Sequence, residues 1–350
     1  MNSTPEHSRS ETSLDDIRQR IDRVDEALLA LLDERAGLSR QVGAIKSDSR
    51  ETVFKPFREK EVMGRLLACH RTHLPDDHLR HIYREILSSS RRLQRAQKVV
   101  YLGPEGTFSY FAGLEYLGHS QDFEPQRDLE EVFRAVSRGD AELGVIPLEN
   151  SLQGSVGQSL DLFLRFDVFI QAEIYCRISH CLMSPETDLA SVKVVHSHPQ
   201  ALAQCSAWLR NTLPQASLVP AESTAAAARL AGQIPGSAAI GHRRLAEMSG
   251  LNVLASQIED LHDNWTRFLV IGSVPPREGN RDKTSLVFTL PDTPGSLVAV
   301  LQLLAGEGIN LKKLESRPLR SEKWKYVFFM DVECDLGRNS YTDLLKRLAA

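Results

Sequence analysis

The sequence has little of what builds secreted, membrane-spanning or metal-stabilised proteins. Five cysteines are scattered over its 350 residues: Cys69, Cys176, Cys181, Cys205 and Cys334. An odd, dispersed set speaks against a disulfide framework and for a reducing cytoplasm. Cys176 and Cys181 lie near His180, and His196 lies near His198, but neither group has the further ligands of a structural metal site, so no metal is expected. No apolar run approaches the ~20 residues that span a bilayer. The opening MNSTPEHSRSETS has no apolar core of a signal peptide. Charge of one sign is lacking too: 42 Lys+Arg against 46 Asp+Glu leave a net charge of -4, which excludes a general pull toward nucleic acid or membrane. Basic residues must therefore be judged locally, as ligands for small anions. Asn264-Trp265-Thr266 fits a glycosylation acceptor. With no secretory route expected, the same letters read better as the polar mouth of the apolar strand that follows.

What is present falls into three grammars, so a multidomain chain is expected. After a disordered stretch, 1–13, apolar residues recur at Ile17, Ile21, Val24, Leu28, Leu31, Leu38, Val42 and Ile45. This spacing predicts one long amphipathic helix over 14–46. A second helix starts near Pro56, a residue suited to a first turn, and a third covers roughly 75–97. This all-α domain, 14–97, cannot easily bury its stripes alone, which predicts a homodimer or larger assembly. From 98 to 275 the pattern is strand, turn, helix, repeated, as in YLGPEGTFS, IPLENS, HSHPQALAQC and ESTAAAA. That is an α/β domain whose ligand sits in a crevice between its halves. A polar linker, 276–283, leads to βαββα over 284–350, an α+β ferredoxin-like unit one strand short.

In the helical segment Arg35 and Lys46 stand 11 residues apart, about three turns and 16 Å, on one helix face. Arg18 lies about 100° off that face and must point elsewhere, as into a partner chain. Ser90 and Gln94 are spaced to address one point. Taken singly, such cations are ordinarily solvated. Together, IRQRIDRVDEALLALLDERAGLSRQVGAIK, then Arg58-Glu59, then Ser90 with Gln94, closely resemble the all-helical chorismate mutase family. The resemblance implies that Arg18, from across a dimer, and Arg35 hold the substrate carboxylates. It puts Lys46 and Gln94 on the breaking ether oxygen, Glu59 on the ring hydroxyl and Ser90 beside a carboxylate. Lys55 stands where some members carry an acid.

In the α/β segment the Gly-rich turn of YLGPEGTFS precedes a helix start that can take an anion, without Walker or dinucleotide spacing. Glu149, Asn150 and Ser151 follow a strand and can face a crevice. Ser223 and Thr224 have a plain reading as a helix N-cap. Five blocks in order, ending in NWTRF, resemble prephenate dehydratase over 99–275. Prephenate is what the preceding segment's reaction would make, so the pair resembles the bifunctional enzymes of phenylalanine synthesis. The implied chemistry converts chorismate to prephenate, then removes CO2 and the ring hydroxyl to give phenylpyruvate, and needs no cofactor. Thr266 is the implied hydrogen-bond donor to the leaving oxygen. Strand alternation puts Phe268 on its face and Arg267 on the other, so Arg267 is either a prephenate ligand or structural.

TPGSLVAVL and LESRP resemble the ACT regulatory domain. The resemblance implies a phenylalanine site from Pro294, Gly295, Ser296, Leu297 and Val298 with Glu315, Ser316 and Arg317. A plain packing domain, a decayed amino-acid sensor and a solute-binding module are the competing readings. The intact Arg18, Arg35, Lys46, Glu59, Gln94 and Thr266 argue against decay.

Overall fold

The computed structural model describes residues 13–49, 52–276, 281–319 and 325–349. The expected disordered N-terminus, up to residue 12, and the centre of the expected linker, 277–280, lie outside the described residues.

Helix α1 spans Leu14–Ser49. Its start is a reciprocal cap: the Asp16 amide donates to Ser13 Oγ at 3.1 Å, and the Ser13 amide donates to the Asp16 carboxylate at 3.1 Å. Helix α2 (Pro56–Ala68) has its proline in the first turn, and α3 (Asp76–Gln94) starts with two acids that suit the helix dipole. The C-terminal part of α1 packs on α3. There a Cβ at Gly43 would lie 2.7 Å from the Gln94 backbone, so only glycine lets the helices cross this closely. The apolar stripe nevertheless stays exposed along the whole of α1: Leu28 is 52% exposed, Leu31 63% and Ile45 71%.

The central segment forms two sheets. The first is built from β1 (Lys98–Leu102), β2 (Asp122–Gln126), β3 (Leu143–Asn150), β4 (Gly154–Ser155), β5 (Phe169–Arg177) and, from far along the chain, β11 (Trp265–Gly272). Its order is β2-β1-β3-β11-β5, with β4 on β3. Helices α4 (Phe108–Leu117), α5 (Leu129–Arg138) and α6 (Gly157–Phe163) accompany it. The second lobe holds β6 (Cys181–Ser184), β7 (Val194–Ser197), β8 (Ser217–Pro220), β9 (Ser237–Gly241) and β10 (Asn252–Ser256), in the order β10-β6-β9-β7-β8. Its helices are α7 (Pro199–Gln204), α8 (Ser206–Thr212), α9 (Thr224–Gln233) and α10 (Arg243–Ser249). The chain crosses between lobes twice, after β5 and before β11. The start of β11 therefore sits at the junction of the lobes.

The last segment is a three-stranded antiparallel sheet, β12-β14-β13, formed by β12 (Thr284–Thr289), β13 (Leu311–Pro318) and β14 (Tyr326–Val332). Helices α11 (Ser296–Gly306) and α12 (Thr342–Ala349) cover one face, where Val300, Leu304 and Leu344 pack with Met330 and Val332. On the other face Val327 and Phe329 join the core of the first lobe, against residues such as Leu160 and Val168. The alternating residues of β14 thus fasten the terminal unit to the central one. Among the described residues no helix is long and apolar enough to cross a membrane, and no cluster of ligating side chains could hold a metal ion. All five cysteines are free.

Candidate active and effector sites

Between α1 and α3 the helical segment gathers most of its nominated side chains. Arg35 Nη1 donates to Ser90 Oγ, whose own proton goes to the Ile86 carbonyl at 2.7 Å. Lys46, one helical turn from the end of α1, points its ammonium at the Thr52 and Val53 carbonyls, 3.4 and 3.5 Å away. Gln94 lies at the end of α3 with its Oε1 buried and without a partner. Glu59 on α2 receives Arg91 Nη1 on both carboxylate oxygens, at 2.5 and 2.6 Å. Lys55 is the residue ahead of α2 and makes no side-chain cap there. Arg18 is not brought in: its side chain is 66% exposed and pairs with Asp15 at 3.3 Å. Arg91 was not singled out in the sequence, where it reads as one more helix charge. The available signal was its place four residues after Leu87, on the apolar side of an otherwise polar helix.

At the lobe junction, β3 and β11 run antiparallel with Asn150 opposite Thr266 and Glu149 opposite Arg267. Side chains of facing residues share one side of a sheet. The four nominated residues therefore split into two pairs on opposite faces. On one face Asn150 Nδ2 donates to Thr266 Oγ1 at 3.0 Å and to Asn264 Oδ1 at 2.7 Å. The orientation of this amide is fixed by its other end, since Asn150 Oδ1 accepts from the Leu152 and Gln153 amides, each at 3.1 Å. Thr266 thus spends a lone pair on Asn150 and keeps its proton to give elsewhere. Ser151 fastens the crossover: its Oγ accepts from the Trp265 amide at 2.9 Å and donates to the Asp263 carbonyl at 3.3 Å. Asn264 is fully buried, which rules out the glycosylation reading.

On the opposite face Arg267 pairs with Asp331 of β14 at 2.6 Å and with Glu173 of β5. Glu149 meets Lys313 of β13 at 3.0 Å, and Lys283 reaches Glu173 at 2.8 Å. Burial would lower the Arg267 pKa, but Asp331 and Glu173 outweigh it and raise it. This face is a charged seam with the terminal unit. The sequence correctly put Arg267 opposite Thr266, but which partners waited on that face depended on the fold.

An aromatic cluster joins the lobes. Phe108, at the start of α4, stands edge-on to His180 at 5.5 Å and to His242 at 5.6 Å. His242 stacks on Phe111 at 4.4 Å between ring centroids. Burial, then the Arg244 cation and His180, push the His242 pKa down to about 4. His242 Nδ1 caps α10 by accepting from the Arg244 amide at 3.2 Å. His198 likewise caps α7, and Ser223 caps α9 by accepting from the Ala226 amide at 3.0 Å, the plain reading of that position. His196 is buried on β7 with neither ring nitrogen partnered.

Among the described residues no hydrogen bond or ion pair joins the nominated effector residues of the turn to those of β13. Pro294 to Val298 form the turn into α11, with Gly295 at φ +91°, a left-handed conformation that favours glycine. On β13 Glu315 and Arg317 share a face turned to the central segment, and Ser316 takes the other. Glu315 accepts from Ser155 Oγ. Arg317 holds Asp161 through Nε at 2.8 Å and Nη2 at 3.2 Å.

Three family descriptions match the chain: chorismate mutase type II over residues 17–95, prephenate dehydratase over 99–276 and the ACT domain over 284–350. A bifunctional chorismate mutase/prephenate dehydratase of Aquifex aeolicus is 40% identical over 339 residues, covering 96% of this chain and 94% of the relative. One from Stutzerimonas stutzeri is 41% identical over 323 residues, covering 90% and 88%. The crystal structure of prephenate dehydratase from Arthrobacter aurescens in complex with L-Phe superposes with a TM-score of 0.66 at 33% identity, covering 72% of this chain and 85% of that one. The three matched segments follow one another along this chain, two full-length relatives carry both activities in their names, and the chain belongs to the bifunctional chorismate mutase/prephenate dehydratase family.

Proposed function

We propose that the chain performs the two reactions of its family at two separate sites and that phenylalanine regulates the second through the terminal segment. In the first site Arg35, with Ser90 beside it, holds one chorismate carboxylate. Arg18 serves the site of a second copy. It lies 17 residues before Arg35, about 25 Å along the helix, too far to share one small substrate within its own chain. Lys46 and the Gln94 amide donate to the ether oxygen as its bond to carbon breaks, and Glu59 accepts from the ring hydroxyl. Lys55 belongs to this set by its position ahead of α2. No proton is transferred and no covalent intermediate forms, so the rate comes from positioning and from cations placed where negative charge grows. The bare apolar face of α1 supports a second copy as its cover, at least a homodimer.

In the second site prephenate lies on the Asn150–Thr266 face, in the crevice between lobes. Its ring carboxylate leaves as CO2, the bonding pair enters the ring, and the ring hydroxyl departs with a proton as water. Aromatisation supplies driving force. The observation that carries this reading is the hydrogen bond from Asn150, which occupies the Thr266 oxygen and leaves the Thr266 proton to donate to the departing oxygen. Phenylalanine is proposed to bind where the turn at 294–298 meets Glu315, Ser316 and Arg317 of another copy. Five free thiols and the lack of a membrane-spanning helix among the described residues support a cytoplasmic location.

A two-step assay tests the proposal. Chorismate should give prephenate and then phenylpyruvate. Lys46→Ala should remove the first step and leave dehydration of supplied prephenate intact. A variant that lost both steps together would argue against separate sites. Sedimentation of Leu28→Lys, expected to shift toward monomer, tests the cover over α1.

A further inference from the structure

We infer that Arg91 is a positioning residue for Glu59 and ties the hydroxyl-binding carboxylate of the mutase site to the dehydratase lobe. The inference rests on the reading of Glu59 given above. Arg91 is 3% exposed. Its Nη1 lies on both oxygens of Glu59, and its Nη2 donates to the carbonyl of Leu117, the last residue of α4. That carbonyl has no helical partner of its own and suits a cation. The guanidinium lies 5.6 Å from the centroid of the Phe54 ring. Tyr116 closes the same pocket, its pKa pushed up to about 12 first by burial and then by the Glu59 charge.

A carboxylate beside a buried surface needs a partner, and a guanidinium whose Nη2 is fixed on the Leu117 carbonyl holds its Nη1 in one place, which an ammonium with a single nitrogen cannot do. Nη1 uses one lone pair on each oxygen, and the remaining pairs stay open to a hydroxyl. The far end of the guanidinium is anchored in the other catalytic domain, so Glu59 is held relative to α4 as well as to its own helices. The docking of α3 has independent supports. The Gln121 amide donates to the Ser88 carbonyl at 2.9 Å, the Ser120 amide to Ser88 Oγ at 3.1 Å and the His119 amide to Glu85 at 3.1 Å. Loss of Arg91 should therefore misplace Glu59 without undocking the domains.

Steady-state kinetics on the full chain, with Arg91→Leu, Arg91→Lys, Glu59→Gln and the Arg91→Leu/Glu59→Gln double variant, test this. Arg91→Leu should raise the KM for chorismate about tenfold, the size expected when a charge-assisted contact is lost, with kcat changed far less. Arg91→Lys should recover part of the loss. The double variant should be no worse than Glu59→Gln alone, because both changes remove one interaction. Prephenate turnover, measured on the same samples, should be unchanged and reports folding. If Glu59→Gln raises KM but Arg91→Leu does not, or if the two effects multiply, the positioning role is refuted. An unchanged KM in Glu59→Gln would instead refute the reading of Glu59 itself, and the inference with it. Should Arg91→Leu lose prephenate turnover, the same cycle with Arg91→Lys decides the matter.

Discussion

The two faces of the β3–β11 pair are made from neighbouring residues and do different work. Asn150 and Thr266 meet on one face through neutral hydrogen bonds, one of which is aimed by two backbone amides at the amide's far end. Glu149 and Arg267, each one residue away, lie in a charged seam with Asp331 and Lys313 of the regulatory sheet. On the uncharged face the bond from Asn150 occupies the Thr266 oxygen and leaves its proton uncommitted. Ion pairs on the charged face fix the terminal unit to the strand that carries Thr266. A strand is a short lever: a change in the grip on Arg267 reaches Thr266 through one peptide bond.

The largest effect should come from breaking the neutral face. Thr266→Ala should lower kcat for prephenate by about two orders of magnitude, the usual size for loss of a donor to developing negative charge, while chorismate turnover stays intact. Thr266→Ser should keep part of the activity. Full phenylpyruvate formation by Thr266→Ala would remove Thr266 from the mechanism. The charged face should behave otherwise. Asp331→Asn leaves Arg267 buried with one partner fewer, which should cost about 3 kcal/mol of stability, as broken buried pairs do, seen in a denaturant titration. The same variant should weaken inhibition by phenylalanine and leave prephenate kcat within a few-fold. If Asp331→Asn slowed dehydration as severely as Thr266→Ala, the division of labour between the faces would fail.

Much of this was legible in the sequence, for reasons that differ by element. The 3.6-residue spacing of Ile17, Ile21, Val24 and Leu28 made a helix over 14–46 evident, and the helix runs to Ser49. A stripe reports that something covers it but not what does, and in the single chain its residues stay exposed from Ile17 to Ile45. Alternation along β11 correctly parted Thr266 from Arg267. The pairing of Glu149 with Arg267 was not legible, because it depends on the register of strands more than a hundred residues apart. For the same reason Glu149 and Asn150, adjacent in sequence and read as one group, fall on different faces. The effector motifs show a related limit. LESRP reads as a unit, but a strand turns Ser316 away from Glu315 and Arg317, and those two meet Ser155 and Asp161. Arg91 was hidden because an isolated helical arginine is ordinarily solvated, and only packing against α4 makes it special.

An effect confined to acid pH concerns the aromatic contact between lobes, on which the crevice side depends where the other side depends on ion pairs. His242 has its pKa lowered to about 4 by burial, by Arg244 and by His180, from an ordinary value of 6.5. Between these values the unfolded chain binds a proton that the folded chain refuses. The contribution of His242 to stability is therefore complete above about pH 6.5 and is lost as pH falls toward about 4, up to roughly 3 kcal/mol. The geometry gives the same sign, because a proton on Nδ1 would end its role as acceptor for the Arg244 amide. His242→Asn keeps a cap acceptor and removes the titration. Denaturant midpoints at about pH 7 and about pH 4.5 should fall further for the unaltered chain than for this variant. Equal falls would mean that the acid sensitivity of the fold resides elsewhere, and that the lobes are joined by something other than a neutral imidazole packed between Phe108 and Phe111.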